Sequence, residues 1–168
     1  MNIEERQKLY TYFDGKDHVT EREKYKYFSE NDPHILNLKK QVERIVHQKG
    51  LAPIMNDTKW MELQESVKKL PFPPPYIQKL VLDETDYKKL ILSDAPQYLG
   101  DWTPFYNEGL PLFFEIEWMK IRPRYARYRG RLVKPEILDE SGQFEQILKE
   151  CFIPYEEDSG TFTIFGYK

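Results

Sequence analysis

Leu112-Phe113-Phe114-Glu115-Ile116-Glu117-Trp118-Met119-Lys120-Ile121 carries the plainest structural signal in this chain of 168 residues. Leu112, Phe114, Ile116 and Trp118 alternate with Phe113, Glu115, Glu117 and Met119, which predicts a strand with one apolar and one mixed face. Pro123 closes it, because proline cannot donate to a ladder. Upstream, Pro71-Phe72-Pro73-Pro74-Pro75 forces extended backbone and leads into a second strand over Tyr76–Leu82. Asp83–Leu92 reads as a short helix or irregular turn, and 93–111 as loop. Downstream, Arg131–Lys134 reads as a short strand before Pro135. Phe152–Glu156 and Thr161–Tyr167, flanking Glu157-Asp158-Ser159-Gly160, predict a β-hairpin.

The helices bracket these strands. Asp32-Pro33 is a helix start: the carboxylate accepts first-turn N–H groups, and proline at the first helical position leaves no donor unsatisfied. Ile35, Leu38, Val42, Ile45 and Val46 then form one stripe, and Gly50 ends it, giving a helix over about 33–49. Asn56 or Asp57 caps a second helix carrying Trp60, Leu63, Val67 and Leu70. A third, capped by Asp139 or Ser141, carries Phe144, Ile147, Leu148 and Cys151. Residues 1–31 hold two short helical pieces around a turn at Asp14-Gly15. Helices and antiparallel strands are segregated, so the fold class is α+β: an antiparallel sheet packed by two to three helices, ending in a C-terminal β-hairpin. Residues 1–50 form a helical N-terminal extension and 51–168 an α+β core domain.

Composition restricts the function classes. Ten Phe, 12 Tyr and three Trp, with a net charge of only −3, exclude a disordered chain despite a mean hydropathy of −0.72. No apolar run reaches the length of a membrane span, and the charged N-terminus lacks the apolar core of a signal peptide. The single Cys151 cannot close an internal disulfide, which suits a reducing cytoplasm.

Motifs for chemistry are missing. Cys151 falls on an apolar stripe and reads as a small core residue. His18, His34 and His47 have no metal-ligand spacing, and no C-x-x-C, G-x-G-x-x-G, Walker or G-x-S-x-G pattern occurs. Glu115 and Glu117 point the same way from one strand, as an acid–base pair would, but this is also how the solvated face of a half-buried strand looks. No catalytic residue, cofactor or metal is expected.

The charge pattern is the sharp feature. Residues 120–134 contain Lys120, Arg122, Arg124, Arg127, Arg129, Arg131 and Lys134 and no acid, +7 in fifteen residues, with Tyr125 and Tyr128 interleaved. The flanking blocks are acidic, −5 over 51–119 and −6 over 135–168. Arginine's planar fork suits carboxylates on packed neighbours or on a protein partner. The same residues near phosphates would draw affinity from counterion release, with the tyrosines stacking on bases.

Asn56-Asp57-Thr58-Lys59-Trp60, Ile116-Glu117-Trp118, Arg129-Gly130 with Leu132 and Pro135, and Ile164-Phe165-Gly166-Tyr167 together resemble a bacterial family of small proteins of unknown function over about residues 54–168. The resemblance implies a bacterial source and a single α+β unit, and it carries over no catalytic residue. The reading reached is a non-enzymatic cytoplasmic protein-interaction module of the immunity or inhibitor kind. Its partner would meet Arg122, Arg124, Tyr125, Arg127, Tyr128, Arg129 and Arg131, and arginine and tyrosine are the types that dominate binding hot spots. An RNA- or phosphate-binding domain using 120–134 is the alternative, and an enzyme built on Glu115 and Glu117 is a third reading.

Overall fold

The computed structural model describes residues 3–84 and 92–168, so residues 85–91 of the segment Asp83–Leu92 lie outside the described residues. Helices α1 (Ile3–Tyr10), α2 (Glu21–Asn31), α3 (Pro33–Gln48) and α4 (Asp57–Val67) precede strand β1 (Tyr76–Leu80). Strands β2 (Ile116–Ile121), β3 (Arg124–Arg127) and β4 (Glu136–Asp139), helix α5 (Ser141–Glu150), and strands β5 (Glu156–Asp158) and β6 (Thr161–Phe165) follow. All pairings are antiparallel: a four-stranded sheet in the order β1-β2-β6-β5, and a separate hairpin β3-β4. The fold is α+β.

The ends of α3 and the start of α4 are capped where the sequence placed them. Asp32 Oδ1 accepts from His34 N at 2.8 Å, Asn56 Oδ1 accepts from Lys59 N at 2.9 Å, and Gly50 takes φ +65° beyond α3. At α5 the capping position falls to Glu140, while Asp139 Oδ1 accepts from Ser141 N at 2.9 Å. Cys151 sits just past α5, half-buried, with its Sγ 3.6 Å from Ser66 Oγ.

The central segment behaves differently from its alternation. Strand structure begins at Ile116, because Leu112–Glu115 curls into a 3-10 turn in which the Glu115 carboxylate accepts from Leu112 N at 3.2 Å. A bulge then reverses the faces. Lys79 pairs with Trp118 and Leu80 with Ile116, leaving Glu117 as the extra residue, so Met119 and Ile121 join Ile116 in the core and Trp118 turns to the other face. On the opposite edge Gly166 N and Tyr167 N both donate to Glu117 O, at 2.9 and 3.1 Å. Gly166 is required there: a Cβ would sit 1.9 Å from Ile116 O.

Two further expectations are corrected. Arg131–Lys134 is not a strand; it belongs to the loop of a hairpin whose strands are Arg124–Arg127 and Glu136–Asp139. Gly130 at φ +134° and Pro135 bracket that loop and keep it out of the ladder. The C-terminal hairpin turns tightly on Ser159 (φ +51°) and Gly160 (φ +78°), so Glu157 and Asp158 pair as strand residues.

One continuous core takes the inner face of the sheet (Met119, Ile121, Phe162, Ile164), α4 (Trp60, Leu63, Val67) and α5 (Phe144, Leu148). It also takes the N-terminal helices. Tyr25 stacks on Phe113 at 4.6 Å between ring centres, Phe28 stacks on Tyr10 at 4.7 Å, and the Tyr25 hydroxyl accepts from Phe113 N at 3.0 Å. Among the described residues no helix is long and apolar enough to cross a membrane.

Candidate functional site

The basic run is divided by the hairpin β3-β4 into a base and a tip. At the base, Pro123 turns the chain out of the main sheet, Arg122 N donates to Pro75 O at 2.9 Å and Glu140 N to Pro123 O at 2.9 Å. Arg122 leaves only 8% of its side chain exposed. Its guanidinium donates to Ser159 O, to Thr161 Oγ1 at 3.2 Å, and through Nε to Asp94 O at 3.0 Å, and it pairs with the Asp94 carboxylate. Arg124 reaches the second oxygen of that carboxylate, NH1 to Oδ2 at 2.6 Å, and lies 3.1 Å from Asp139 Oδ2 through Nε. Arg127 pairs with Glu136, its register partner across the hairpin. Tyr125 is half-buried against Phe72, 5.8 Å between ring centres. Lys120 projects from β2 with its Nζ 5.3 Å from the Trp118 ring.

Two carboxyls support this base. Burial pushes Asp139 up, but the Ser141 N–H and hydroxyl with Arg124 and Arg122 outweigh it and hold the group below its ordinary value. Glu140, 1% exposed, is pushed up to about 7 by burial; Phe72 N donates to its Oε2 at 3.3 Å, and its Oε1 has no hydrogen-bond partner among the described residues.

The tip is the opposite case. Leu132 is 98% exposed, Tyr128 73% and Val133 52%. Arg129, Arg131 and Lys134 around them are exposed and form no salt bridge among the described residues. Of the seven residues expected to meet a partner, Tyr128, Arg129 and Arg131 are therefore displayed together. Arg122, Arg124 and Arg127 are engaged within the fold. Leu132 and Val133 are not among those seven, although an apolar pair between Gly130 and Pro135, two backbone breakers in a basic run, marks an exposed loop.

The other candidates stay apart. Glu117 bridges Lys79 and Lys49, with Lys49 Nζ 3.1 Å away, while Glu115 is tied to Leu112 N and pushed up by burial. Their carboxylates thus have separate partners. No group of three or more His, Cys, Asp or Glu suited to a metal occurs among the described residues.

Fold and surface together define a small α+β protein that carries a basic, apolar-tipped hairpin beside its main sheet. Its residues 42–168 match the model of a family of unknown function, DUF6678, and the chain belongs to that family. The match begins within α3, so that helix and the core fall partly under one family description. No curated protein and no solved structure matches the chain.

Proposed function

We propose that the protein is a non-enzymatic interaction module, of the immunity or inhibitor kind, that grips an acidic protein partner with the tip of its β3-β4 hairpin. The observation that carries this reading is Leu132, 98% exposed among Arg129, Arg131 and Lys134. A leucine that packs against nothing contributes nothing to the fold, whereas seating it in a pocket contributes about 1.5–3 kcal/mol. The three cations, with no acid between Tyr128 and Lys134, specify a negatively charged rim on the partner and accelerate encounter. Arg129, Gly130 and Leu132 also belong to the motif pattern that resembles the family. A cytoplasmic setting, in a bacterial cell, is supported by that pattern and by the lone Cys151.

An RNA-binding tip is the second reading, favoured by Tyr128 beside the same cations. Leu132 and Val133 weigh against it, since bases offer flat faces to stack on and no apolar pocket. The test is capture from the native host with the wild type and with Leu132→Asp, both checked for equal melting temperature. A protein held by the wild type, lost with Leu132→Asp and weakened about 10–100-fold by Leu132→Ala supports the module. Equal capture by both removes the tip as the interface. A generic RNA oligonucleotide that binds at low salt and is lost on Arg129→Glu with Arg131→Glu establishes the second reading instead.

A further inference from the structure

The base of the hairpin borders a cleft of about 460 Å³ lined by Leu92, Asp94, Lys120, Arg122, Asp158, Ser159, Thr161 and Thr163. We infer that this cleft is a binding site for a phosphate group, in which the carboxylate of Asp94 occupies the place of the anion.

Four observations converge. First, Arg122 and Arg124 flank Pro123 in one tight turn of the chain and deliver their guanidinium groups to the two oxygens of one carboxylate, the arrangement that an oxyanion with several acceptor oxygens accepts. Second, that carboxylate is a poor fixture: its side chain is 74% exposed, while Arg122 beside it is 8% exposed. Third, Arg122 does not depend on the carboxylate for its orientation. Ser159 O, Thr161 Oγ1 and the backbone oxygen of Asp94 hold the guanidinium, and Gly160 lets the chain close around it, since a Cβ there would lie 3.1 Å from NH1. Fourth, Lys120 and the hydroxyl-bearing Thr161 and Thr163 line the same cleft, and Lys120 has no carboxylate partner among the described residues.

Rotation of the Asp94 side chain away from the arginines, with its backbone carbonyl still held by Arg122 Nε, opens the position. A phosphate dianion brings twice the charge of a carboxylate and a third oxygen for Lys120 or a threonine hydroxyl. Asp158 is the other acid lining the cleft among the described residues, and Asp139 lies 3.1 Å behind Arg124; together they set a limit, but with Asp94 turned out Lys120, Arg122 and Arg124 still exceed these two acids by one charge. The volume leaves room beyond the phosphate for the body of a small ester. This site is separate from the tip proposed to hold a protein partner, and neither reading needs the other.

The experiment is a titration of the full chain with inorganic phosphate and, separately, with ribose 5-phosphate, against sodium chloride of equal ionic strength. It is followed by the Nε–H resonances of Arg122 and Arg124. The expected result is a saturable shift of both resonances, tightened at least tenfold by Asp94→Asn and weakened at least tenfold by Lys120→Ala. Tighter binding of ribose 5-phosphate than of inorganic phosphate identifies an ester as the ligand, and equal binding identifies the free ion. No saturable shift in the wild type beyond the chloride control overturns the proposal, and so does a shift indifferent to Lys120→Ala. Because that titration uses the wild type and Lys120→Ala, it decides the question even where Asp94→Asn fails to fold.

Discussion

The base and the tip of the β3-β4 hairpin are drawn from one run of basic residues and have opposite fates. From Arg122 to Arg127 each arginine finds a carboxylate: Asp94, Asp139 or Glu136. From Tyr128 to Lys134 the chain leaves the strands, and Arg129, Arg131 and Lys134 stand beside exposed Leu132 with no such partner among the described residues. Local charge density is nearly the same in both halves. What differs is the neighbourhood the fold supplies, so a charge run in a sequence specifies a demand for acids without saying whether the protein or its partner meets it.

The contrast can be attacked from the base. Replacing Arg122 by Ala removes a buried side chain and strands the Ser159 carbonyl, and it should lower stability by about 2–3 kcal/mol, less than a doubly buried ion pair because Asp94 stays hydrated. Urea denaturation measures this; a loss no larger than that of a surface arginine would erase the distinction between base and tip. Glu140 gives a pH-dependent version. Burial pushes its carboxyl up to about 7 in the folded chain, against about 4.3 in the unfolded one, so the folded state binds the extra proton between those values. Stability from this group is therefore fully present below about pH 4 and lost as pH rises to about 7, by up to about 3 kcal/mol. Glu140→Gln should remove most of that fall, which urea titrations at pH 5 and pH 8 will reveal. An identical slope in the variant would show that the buried carboxyl under the hairpin is not the source.

Smaller effects are expected further out. Arg127, at the far end of β3, pairs with Glu136 in the open, so Arg127→Ala should cost about 0–1 kcal/mol in the same assay. At the tip, Leu132→Ala should change stability by less than about 0.5 kcal/mol while it weakens partner binding. A melting temperature that drops clearly on Leu132→Ala would mean that the tip is packed and belongs with the base.

Local signals in the sequence translated directly into local structure. Asp32-Pro33, Asn56 and Gly50 act through neighbours a few residues away, so those helix ends were legible before any fold was known. The hairpin β3-β4 was not, because the four-residue strands Arg124–Arg127 and Glu136–Asp139 are too short to carry a readable alternation, and their pairing depends on Pro123 turning the chain out of the main sheet and on the loop between Gly130 and Pro135 returning it. The alternation in Leu112–Ile121 placed Leu112, Phe114 and Ile116 in the core as found and failed from Trp118 onward, for a similar reason. One bulged residue, Glu117, inverts every side chain after it, and the N–H groups of Gly166 and Tyr167, nearly fifty residues downstream, both donate to its carbonyl.

The near-neutral total of −3 and its segregated blocks were readable from composition and order alone, as were the α+β class and the absence of familiar catalytic motifs. Which arginines are consumed and which displayed was decided by tertiary structure. Asp94 lies 28 residues from Arg122, and Ser159 lies 37. Ion pairing acts over a few ångströms and has no fixed spacing along the chain, so only the folded arrangement of loop, sheet and hairpin could bring those partners together and leave Leu132 with none.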